Sequence, residues 1–430
     1  MLWLYRLFFV PALLLMSPGY LRRMRRRGGY GTNFSQRFGG HPVIARRAGV
    51  RRVWLQAVSV GEMLAIGPLL EGLRADGAEV YLTTTTSTGH RLAQERYSAL
   101  TIGIGYFPLD WWPFSRRAWR KISPDLVILT EGERWPEHLR QAERRGVPVL
   151  CINARLSDRS YDRLRRFPAA AALMLRGITR LLPCSAQDER RFRSLGVPAE
   201  RLFTTGNIKL DVRIPALTPE ARAQLRRELG LPDGLILLGS STWPGEEAAL
   251  LAAWKSVRAT GLGVRLLLVP RHAERRAEIE QQLQAAGVCA HFRSKGAAAG
   301  NFDVVVGDTT GELRPFTQLA DLVFVGKSLP PHAEGQTPVE AAALAKPILF
   351  GPGMGNFRLI ARDLVERGAA REVADEAALA VEVSRLLGDE AARGHLAAAA
   401  TRWHQENTGA LDRTLQVIRE AMVALPKPER

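Results

Sequence analysis

The amino-acid sequence predicts an α/β protein built from two similar halves. Over residues 53 to about 212, short apolar stretches alternate with segments whose apolar residues recur at helical spacing, which is typical of βαβ units and a parallel sheet. The same pattern restarts at Leu235, after a proline-containing connection over 213–233. We therefore expect two tandem Rossmann-like domains. Ligands of such sheets bind at the carboxyl ends of the strands, so we expect the two rows of strand ends to face a cleft.

Length and charge narrow the class of protein. The chain has 430 residues, enough for two or three domains, and 46% of them are hydrophobic, as in globular proteins. Sixty Lys and Arg residues against 43 Asp and Glu residues give a net charge of +17, which favours nucleic acid, an anionic membrane or a phosphorylated substrate as partner. Three widely spaced cysteines exclude a disulfide framework and a CxxC metal site, and they favour a reducing compartment.

The N-terminal segment 1–28 is predicted to be a short membrane anchor. Residues 2–16 are apolar except for Arg6, and the chain continues through Pro18 without a small-residue cleavage site, so we expect no cleaved signal peptide. An arginine cluster without acidic residues follows: Arg22, Arg23, Arg25, Arg26 and Arg27. Because a span needs about 20 apolar residues, a shallow or interfacial anchor is favoured, with its arginines on the cytoplasmic side. A buried first helix of a soluble domain is the alternative.

The first domain is expected over 29–213, and Glu62 is its first candidate for chemistry. The apolar strand 53–57 passes through small residues into apolar positions at helical spacing, so Glu62 falls where a strand leads into a helix. Ligands collect at such strand ends, and a helix N-terminus favours negative charge. The alternative is that Glu62 only complements the first helical turn. The predicted strands are Val53–Ala57, Val80–Thr83, Leu126–Leu129, Val149–Ile152 and Leu181–Pro183.

Further polar residues follow neighbouring strands of this domain. Glu131 comes directly after the third predicted strand, so we expect its carboxylate to share one crevice with that of Glu62. Asn153 continues the same rim, and Lys209 lies near the end of the domain. The hydroxyl-rich run 83–89 opens a helix, where it offers either an anion site or an ordinary cap.

The second domain, expected over 214–405, has features of a nucleotide site. Hydroxyl-rich turns at helix starts suit a phosphate group. Arg271 is a candidate phosphate partner within Pro270-Arg271-His272, although such a triplet is also typical of a strand-end cap or an ion pair. Glu340 is placed to accept hydrogen bonds from ribose hydroxyls. The last segment, 406–430, is expected to return as a helix to the first domain. The predicted strands are Leu235–Leu238, Arg265–Val269, Asp303–Val306, Leu322–Val325 and Pro347–Phe350.

Other kinds of site find less support in the sequence. A GxGxxG or Walker A motif is absent, which argues against dinucleotide enzymes and ATPases. There is no Asp-x-Asp pair and no histidine cluster at ligand spacing, so we expect no metal. Ser59 lies one residue away from a G-x-S-x-G elbow, which makes a serine hydrolase one rival, although an elbow normally follows several strands. The other rival is a basic membrane-surface or nucleic-acid binder without catalysis, which lacks a recognisable nucleic-acid module.

Seven short motifs stand in an order and spacing that are hard to reach by chance. They are Ala57–Glu62, Phe107–Asp110, Glu131–Pro136, Asn153–Ser157, Gly206–Lys209, Pro270–His272 and Asp308–Leu313. Together they resemble the 3-deoxy-D-manno-octulosonic acid (Kdo) transferase family over nearly the whole chain. The resemblance implies a membrane-associated inverting enzyme with the two-domain glycosyltransferase B fold and no metal requirement. Its implied reaction moves Kdo from CMP-Kdo to a hydroxyl of the lipid A precursor in lipopolysaccharide core biosynthesis.

The resemblance also implies roles for individual residues. Glu62 matches the general base, and Glu131 and Lys209 match residues credited with stabilising the transition state. The segments that hold CMP match Pro270, Arg271, Thr310, Gly311, Glu312, Thr337, Pro338, Val339 and Glu340. The implied partners are CMP-Kdo, the lipid A precursor and the anionic inner-membrane surface on its cytoplasmic face, with no cofactor and no nucleic acid.

Three places depart from the family pattern. The run Glu334-Gly335-Gln336-Thr337 stands where Gly-Gly-His-Asn is usual, Ala341 replaces a proline, and Gln56 stands where a histidine is common. Gln336 keeps a hydrogen-bonding group but not a titrating ring. These departures leave open a transferase for a related CMP-linked sugar.

Overall fold

The computed structural model describes residues 1–26 and 33–426, and the chain divides into two compact units. The first comprises Met1–Asp211 together with Thr408–Arg430, and the second comprises Val212–Asn407. We refer to these units as the first and second domains.

The boundaries predicted from the sequence stay predictions. The predicted segments were 1–28, 29–213, 214–405 and 406–430. Positions 27–32 and 427–430 of these segments, which include the predicted basic residue Arg27, lie outside the described residues.

One parallel sheet of six strands forms the centre of the first domain. Its strands are β1 (Arg52–Gln56), β2 (Glu79–Thr84), β3 (Gly103–Tyr106), β4 (Leu126–Thr130), β5 (Val149–Ala154) and β6 (Arg180–Pro183). Their order in the sheet is β3-β2-β1-β4-β5-β6. The chain runs outward from β1 through β2 and β3 and then returns to β4, which pairs with β1 on its other side. The carboxyl ends of β1 and β4 therefore form the topological switch point, where open α/β sheets bind ligands.

Helices cover both faces of this sheet. The helices of this part of the chain are α1 (Leu2–Arg26), α2 (Val60–Ala65), α3 (Gly67–Ala75), α4 (Ser87–Tyr97), α5 (Trp112–Ile122), α6 (Pro136–Arg145), α7 (Asp158–Arg166), α8 (Pro168–Leu175) and α9 (Ala186–Ser194), and among the described residues α1 is not part of the apolar clusters around the sheet. Val53 and Leu55 of β1 lie in one apolar cluster with α2 and α3, whereas Trp54 lies in the opposite cluster with α5. A parallel strand buried on both faces has a nearly continuous apolar sequence, which is why β1 is recognisable from the sequence.

Strand β3 was missed because its sequence, Gly103-Ile104-Gly105-Tyr106, contains two glycines. A Cβ atom at Gly103 would come within 2.7 Å of the Tyr81 ring, and one at Gly105 would come within 2.5 Å of Gln36 Oε1. The strand therefore uses glycine to approach neighbouring side chains closely, at the expense of the apolar pattern that identifies the other strands.

The second domain is built on a parallel sheet of seven strands. These are β7 (Leu235–Thr242), β8 (Val264–Pro270), β9 (Ala290–Phe292), β10 (Val304–Val306), β11 (Leu322–Val325), β12 (Ile348–Phe350) and β13 (Ala370–Glu372). The sheet order is β13-β12-β11-β7-β8-β10-β9. Its switch point lies between β7 and β11, because the chain moves from β7 towards β8 and later returns to β11 on the other side.

The helices of the second domain cover this sheet in the same manner. They are α10 (Pro219–Glu228), α11 (Glu246–Ala259), α12 (Arg276–Ala285), α13 (Leu313–Leu319), α14 (Val339–Ala343), α15 (Arg358–Glu366), α16 (Glu376–Gly388) and α17 (Glu390–Asn407). The prediction of two tandem Rossmann-like α/β domains is confirmed. The sequence missed β9 and β13, which have only three residues each.

The chain ends in the first domain with α18 (Ala410–Val423), which packs on α3. Leu415 lies so close to Gly72 that a Cβ atom there would come within 2.8 Å of the leucine Cδ1. Arg419 Nε also donates to Asp76 Oδ2 over 2.8 Å. This close approach explains a glycine in the middle of α3, where it otherwise disfavours a helix.

In the described part of the chain, α1 is the helix that is long and apolar enough, over Leu2–Arg22, to cross a membrane. Large apolar side chains along it are exposed, among them Trp3 and Phe8. Their exposure distinguishes α1 from the buried core helix that the sequence left as an alternative. The structure therefore supports membrane association through α1.

Candidate active site

Glu62 lies in the first turn of α2, directly after β1, and three donors hold its carboxylate. The Val58 N–H donates to Oε2 over 3.0 Å, and the Thr130 hydroxyl donates to the same oxygen over 2.6 Å. The Ser59 hydroxyl donates to Oε1 over 2.9 Å. Glu62 is only 8% exposed. Because Thr130 ends β4, the position of this carboxylate is set from both strands of the switch point.

Ser59 explains why the chain places Glu62 here. Its backbone is extended and its hydroxyl accepts the Glu62 N–H over 3.2 Å, so Ser59 is the N-cap of α2. A glutamate three residues after a serine cap commonly returns a hydrogen bond to the start of its helix. Ser59 therefore contacts Glu62 in both directions, whereas a serine nucleophile would contact a base such as histidine.

Glu131 and Lys209, both predicted from the sequence, form an ion pair through Oε1 and Nζ. The Asn153 Nδ2 group donates to the same Glu131 oxygen over 3.3 Å, and Asn153 Oδ1 accepts the Ile208 N–H over 3.0 Å. Asn153 therefore ties the segment that carries Lys209 to the end of β5. Glu131 and Asn153 have φ values of 49° and 51°, a left-handed conformation that is uncommon outside glycine and is concentrated at functional sites.

Glu133 is a nearby acid that sequence reasoning missed. Its Oε2 accepts Trp135 Nε1–H over 2.8 Å and Gln56 Nε2–H over 3.4 Å. Burial raises the pKa of Glu133, the two hydrogen bonds oppose that rise, and the nearby Glu62 carboxylate adds to it. Gln56 is fully buried, and among the described residues its Oε1 has no hydrogen-bond partner. The sequence feature that could have identified Glu133 is its spacing from Glu131, because the two acids are separated by one glycine directly after β4.

The hydroxyl-rich run 83–89 supports Glu62 indirectly. The hydroxyls of Thr84 and Thr86 donate to the Val58 carbonyl over 3.2 and 3.0 Å. Thr86 is also the N-cap of α4, because its hydroxyl accepts the Gly89 N–H. These threonines fix Val58, whose own N–H donates to Glu62. An anion site at this run stays a prediction.

In the second domain, Pro270 ends β8 and Arg271 follows it at the carboxyl edge of the sheet. The Arg271 N–H donates to the Thr242 carbonyl over 3.1 Å, and its side chain is exposed. Within residues 1–26 and 33–426 its guanidinium has no acid partner, whereas Arg275 is paired with Glu247 and Arg276 with Asp308. Arg271 therefore presents a cation that the fold itself does not use.

Thr310, Gly311 and Glu312 lie in the loop between β10 and α13. Thr310 and Gly311 are exposed, and Gly311 has a φ of 91°, which glycine adopts without strain. The Glu312 carboxylate accepts hydrogen bonds from Arg293, at 3.1 Å for the closest, and from the Thr309 hydroxyl. Burial opposes ionisation, but these donors lower the pKa of Glu312. Glu312 is therefore a negatively charged group anchored within its own domain.

Residues Thr337 to Glu340 form the start of α14. Thr337 is exposed and its hydroxyl accepts the Val339 N–H over 3.3 Å, while Pro338 and Val339 are buried. Glu340 accepts a hydrogen bond from Arg314 Nε over 2.9 Å. Glu340 is therefore already engaged by Arg314 in this structure.

The switch point of the second domain contains residues that sequence reasoning did not select. The ammonium group of Lys327, after β11, lies 4.0 Å from the ring centroid of Trp243, after β7. Lys327 and Ser241 have φ values of 58° and 55°, which is typical of strained segments at binding sites. Glu246 is 1% exposed and accepts four backbone N–H groups, those of Trp243, Lys327, Ser328 and Leu329. Glu246 therefore holds the two loops of the switch point together.

Among the described residues there is no group of three or more His, Cys, Asp and Glu side chains that could hold a metal ion. The expectation that the enzyme needs no metal stays a prediction.

Sequence comparisons identify relatives of this chain. The family model for 3-deoxy-D-manno-octulosonic-acid transferase (kdotransferase) matches residues 32–212. A 3-deoxy-D-manno-octulosonic acid transferase of Bordetella pertussis is 34% identical over 413 residues, which cover 93% of this chain and 94% of that protein. The enzyme of the same name from Haemophilus influenzae is 34% identical over 423 residues, which cover 96% of this chain and 94% of that protein.

A structural comparison supports the fold. A glycosyltransferase from Rickettsia africae ESF-5 aligns with 87% of this chain and 99% of its own, with a TM-score of 0.55 and 13% sequence identity. At this identity the likeness concerns the fold alone. The sequence relationship is closer and extends over nearly the whole length of both relatives. This chain is a glycosyltransferase that belongs to the 3-deoxy-D-manno-octulosonic acid (Kdo) transferase family.

Proposed function

We propose that this enzyme transfers Kdo from CMP-Kdo to a hydroxyl of the lipid A precursor, with Glu62 as the general base. The observation that carries the proposal is the Glu62 carboxylate, fixed at the switch point beside the Glu131–Lys209 pair. An acceptor hydroxyl is a weak nucleophile, so a positioned carboxylate removes its proton as the oxygen attacks the anomeric carbon. The new glycosidic bond forms as the bond to the CMP oxygen breaks, and CMP leaves with that electron pair.

The hydrogen bonds of Glu62 distinguish its two oxygens. Each carboxylate oxygen can accept about two hydrogen bonds. Oε2 accepts from both Val58 and Thr130, whereas Oε1 accepts from Ser59. Oε1 therefore retains a lone pair, and we assign the acceptor proton to this oxygen.

Lys209 and Glu131 are assigned to charge stabilisation in the same site. The ammonium of Lys209 can favour the negative charge that develops on a departing phosphate, provided that its position is fixed before the reaction. Glu131 and, through Ile208, Asn153 supply that fixation. We therefore assign Lys209 to stabilisation of the transition state, and we assign Glu131 to holding Lys209 in position.

The second domain is assigned to CMP-Kdo. Arg271 is an exposed guanidinium at a strand end, which suits the phosphate of CMP. Glu340, at the start of α14, is assigned to ribose, and the segments Thr310–Glu312 and Thr337–Val339 to the rest of the nucleotide. The reaction places no demand on a metal, because CMP is already a good leaving group.

The enzyme is assigned to the cytoplasmic face of the inner membrane. The exposed apolar side of α1 supports attachment to a bilayer, and Arg22 and Arg25 beyond it suit anionic headgroups. The net charge of +17 favours the same surface, and it also favours an anionic donor and a phosphorylated acceptor.

The test uses the purified full chain with CMP-Kdo and lipid A precursor, with and without a chelator, and measures the mass of the lipid product. We expect wild-type transfer in both conditions. Glu62→Gln should reduce kcat by about 10²- to 10⁴-fold, the usual contribution of a general base. CMP binding, measured by calorimetry, should stay unchanged. Glu71→Gln, which alters an exposed glutamate of α3, is the matched control.

Glutamine fits the Glu62 position without new strain. Its amide oxygen can accept from Val58 and Thr130 as Oε2 does, and its NH₂ group can donate to the Ser59 hydroxyl. Normal turnover by Glu62→Gln would remove the base assignment. Loss of CMP binding together with turnover would show that Glu62 has a structural role instead.

A further inference from the structure

Helix α1 lies along the first domain over most of its length. Its half-buried residues recur at helical spacing and so share one side of the helix: Leu2, Tyr5, Arg6, Phe9, Val10, Leu13, Ser17 and Tyr20. The opposite side is exposed and apolar, with Trp3, Phe8, Leu15 and Met16 between 63% and 85% exposed. A helix with one side held against its own domain and the other side exposed and apolar is suited to lie along a membrane surface rather than to cross the bilayer as a separate span.

Two polar contacts fasten the start of α1 to the domain. The Tyr5 hydroxyl donates to Asp110 Oδ2 over 2.6 Å, and Arg6 forms two hydrogen bonds with the Glu137 carboxylate over 2.8 and 3.0 Å. Both acids are buried, and Asp110 also accepts the backbone N–H groups of Glu137 and His138 at the start of α6. The contacts of α1 therefore reach the helix that follows Glu133 and Trp135 directly.

A cavity of about 450 Å³ lies beneath α1, within the range of roughly 300–1,000 Å³ that is usual for ligand pockets. Phe9 and Tyr20 of α1 line one side of it, and Phe107, Leu109 and Trp135 contribute apolar surface from the domain. Seven of its twelve lining residues are apolar or aromatic, so most of the lining suits hydrocarbon, while Arg37, Asp110 and Glu133 contribute charged groups.

The same cavity extends to residues that adjoin the assigned base. Glu133 lines it, and so does Val58, whose N–H donates to Glu62. One wall is thus a helix whose outer side is exposed and apolar, and the other contains groups next to the assigned base. A lipid whose head must reach Glu62 while its tail stays in the membrane matches this arrangement.

We propose that α1 is the membrane-side wall of the acceptor site, and that the cavity beneath it holds an acyl chain of the lipid acceptor. Tyr5 and Arg6 keep this wall in place. The inference rests on the proposed function, because it names the part of the acceptor that the site of Glu62 binds.

The test compares two neighbouring phenylalanines on opposite sides of α1. Phe9→Trp adds bulk inside the cavity, whereas Phe8→Trp adds it on the exposed side. Each variant is measured with the acylated lipid A precursor and with the same acceptor after removal of its acyl chains. Flotation with phosphatidylglycerol vesicles checks membrane attachment, and CMP binding checks folding.

We expect Phe9→Trp to raise the KM for the acylated acceptor at least about fivefold and to leave transfer to the deacylated acceptor unchanged. Phe8→Trp should change neither. Equal behaviour of the two variants, or an equal loss by Phe9→Trp on both acceptors, would overturn the proposal. Failure of the wild type with both acceptors would instead contradict the proposed function.

If Phe9→Trp does not fold, Tyr5→Phe provides a second test of the proposed wall. It keeps the ring and removes only the hydroxyl that donates to Asp110. A higher KM for the acylated acceptor alone supports the wall, while an unchanged KM for both acceptors contradicts it.

Discussion

The two domains share a parallel sheet and a switch point, but they surround their acidic residues with different partners. In the first domain, Glu62 is held by one backbone N–H and two hydroxyl groups. In the second, the hydrogen bonds that Glu246 accepts from residues within 1–26 and 33–426 come from four backbone N–H groups, none of which can also accept. A hydroxyl can turn from donor to acceptor, whereas a backbone N–H can only donate. The surroundings of Glu62 therefore tolerate the arrival of a proton, and those of Glu246 do not.

The cations of the two domains also differ in whether an acidic residue pairs with them. Lys209 of the first domain is paired with Glu131. Arg271 of the second is exposed at the end of β8 and has no acid partner among the described residues, whereas Lys327 lies over an aromatic ring and pairs with Glu334 over 3.4 Å. The unpaired guanidinium of Arg271 thus fits the anion site proposed for the second domain, and the hydroxyl contacts of Glu62 fit the base proposed for the first.

The largest expected effect tests this contrast with one substitution in both domains. Glu246→Gln places an NH₂ group against two of the four N–H donors, so we expect the free energy of unfolding to fall by about 3 kcal/mol, the cost of leaving such groups unpaired. Glu62→Gln meets a hydroxyl at the equivalent oxygen, and its stability should stay within about 0.5 kcal/mol of wild type. Urea unfolding of the full chain measures both.

A larger loss of stability in Glu62→Gln than in Glu246→Gln would contradict this comparison of the two domains. If Glu62→Gln were the less stable variant, then the hydroxyls around it would be structural donors like the N–H groups around Glu246. If both variants were as stable as wild type, the four N–H groups around Glu246 would find other partners when glutamine replaces the carboxylate.

A smaller effect is expected at the exposed cation of the second domain. Arg271→Ala should weaken CMP binding about tenfold, or about 1.4 kcal/mol, because a charge-assisted hydrogen bond to phosphate is lost. Arg385→Ala is the control, since Arg385 is an exposed arginine of α16 that is paired with Glu382. Calorimetric titration of CMP into each variant measures the difference. Equal affinities of the two variants would take Arg271 out of the donor site.

The sequence predicts the fold well because most strands are buried on both faces and therefore read as apolar runs. Strand β11 was predicted with the bounds that it has, Leu322–Val325. Strand β3 was missed because Tyr81 and Gln36 require glycines in it, and β9 and β13 are too short to show a pattern. Close packing thus requires glycines in place of apolar residues in β3, and the short length of β9 and β13 leaves no apolar pattern in those strands.

The candidate site could be predicted only in part. Glu62, Glu131 and Lys209 were selected because each follows a strand or closes a domain in a recognisable motif, and the structure pairs Glu131 with Lys209. The contact between Thr130 and Glu62 depends on β1 and β4 being neighbours, which no local pattern states. Glu246 was passed over for a similar reason, since its partners at 327–329 lie more than eighty residues away.

The smallest expected effect concerns pH and the first domain alone. His138 accepts Trp119 Nε1–H at its Nδ1 over 3.1 Å, and burial lowers its pKa to about 3. The unfolded chain binds a proton at this residue near pH 6.5 and the native domain does not, so His138 makes stability fall as the pH falls. Between pH 6 and pH 5 we expect its contribution to be about 1 kcal/mol, from a difference of up to one proton.

His138→Asn isolates that contribution. Asparagine does not titrate, and its side-chain oxygen can take the place of Nδ1 as acceptor for Trp119. The variant should be less sensitive than wild type to the change from pH 6 to pH 5, whatever its absolute stability. Asp110 acts in the opposite direction, because burial raises its pKa to about 6, and the comparison with the variant cancels its effect. Equal pH dependence of the two proteins in urea unfolding would mean that His138 becomes protonated in the native domain, where the Asp110 carboxylate lies 3.9 Å from its Nε2.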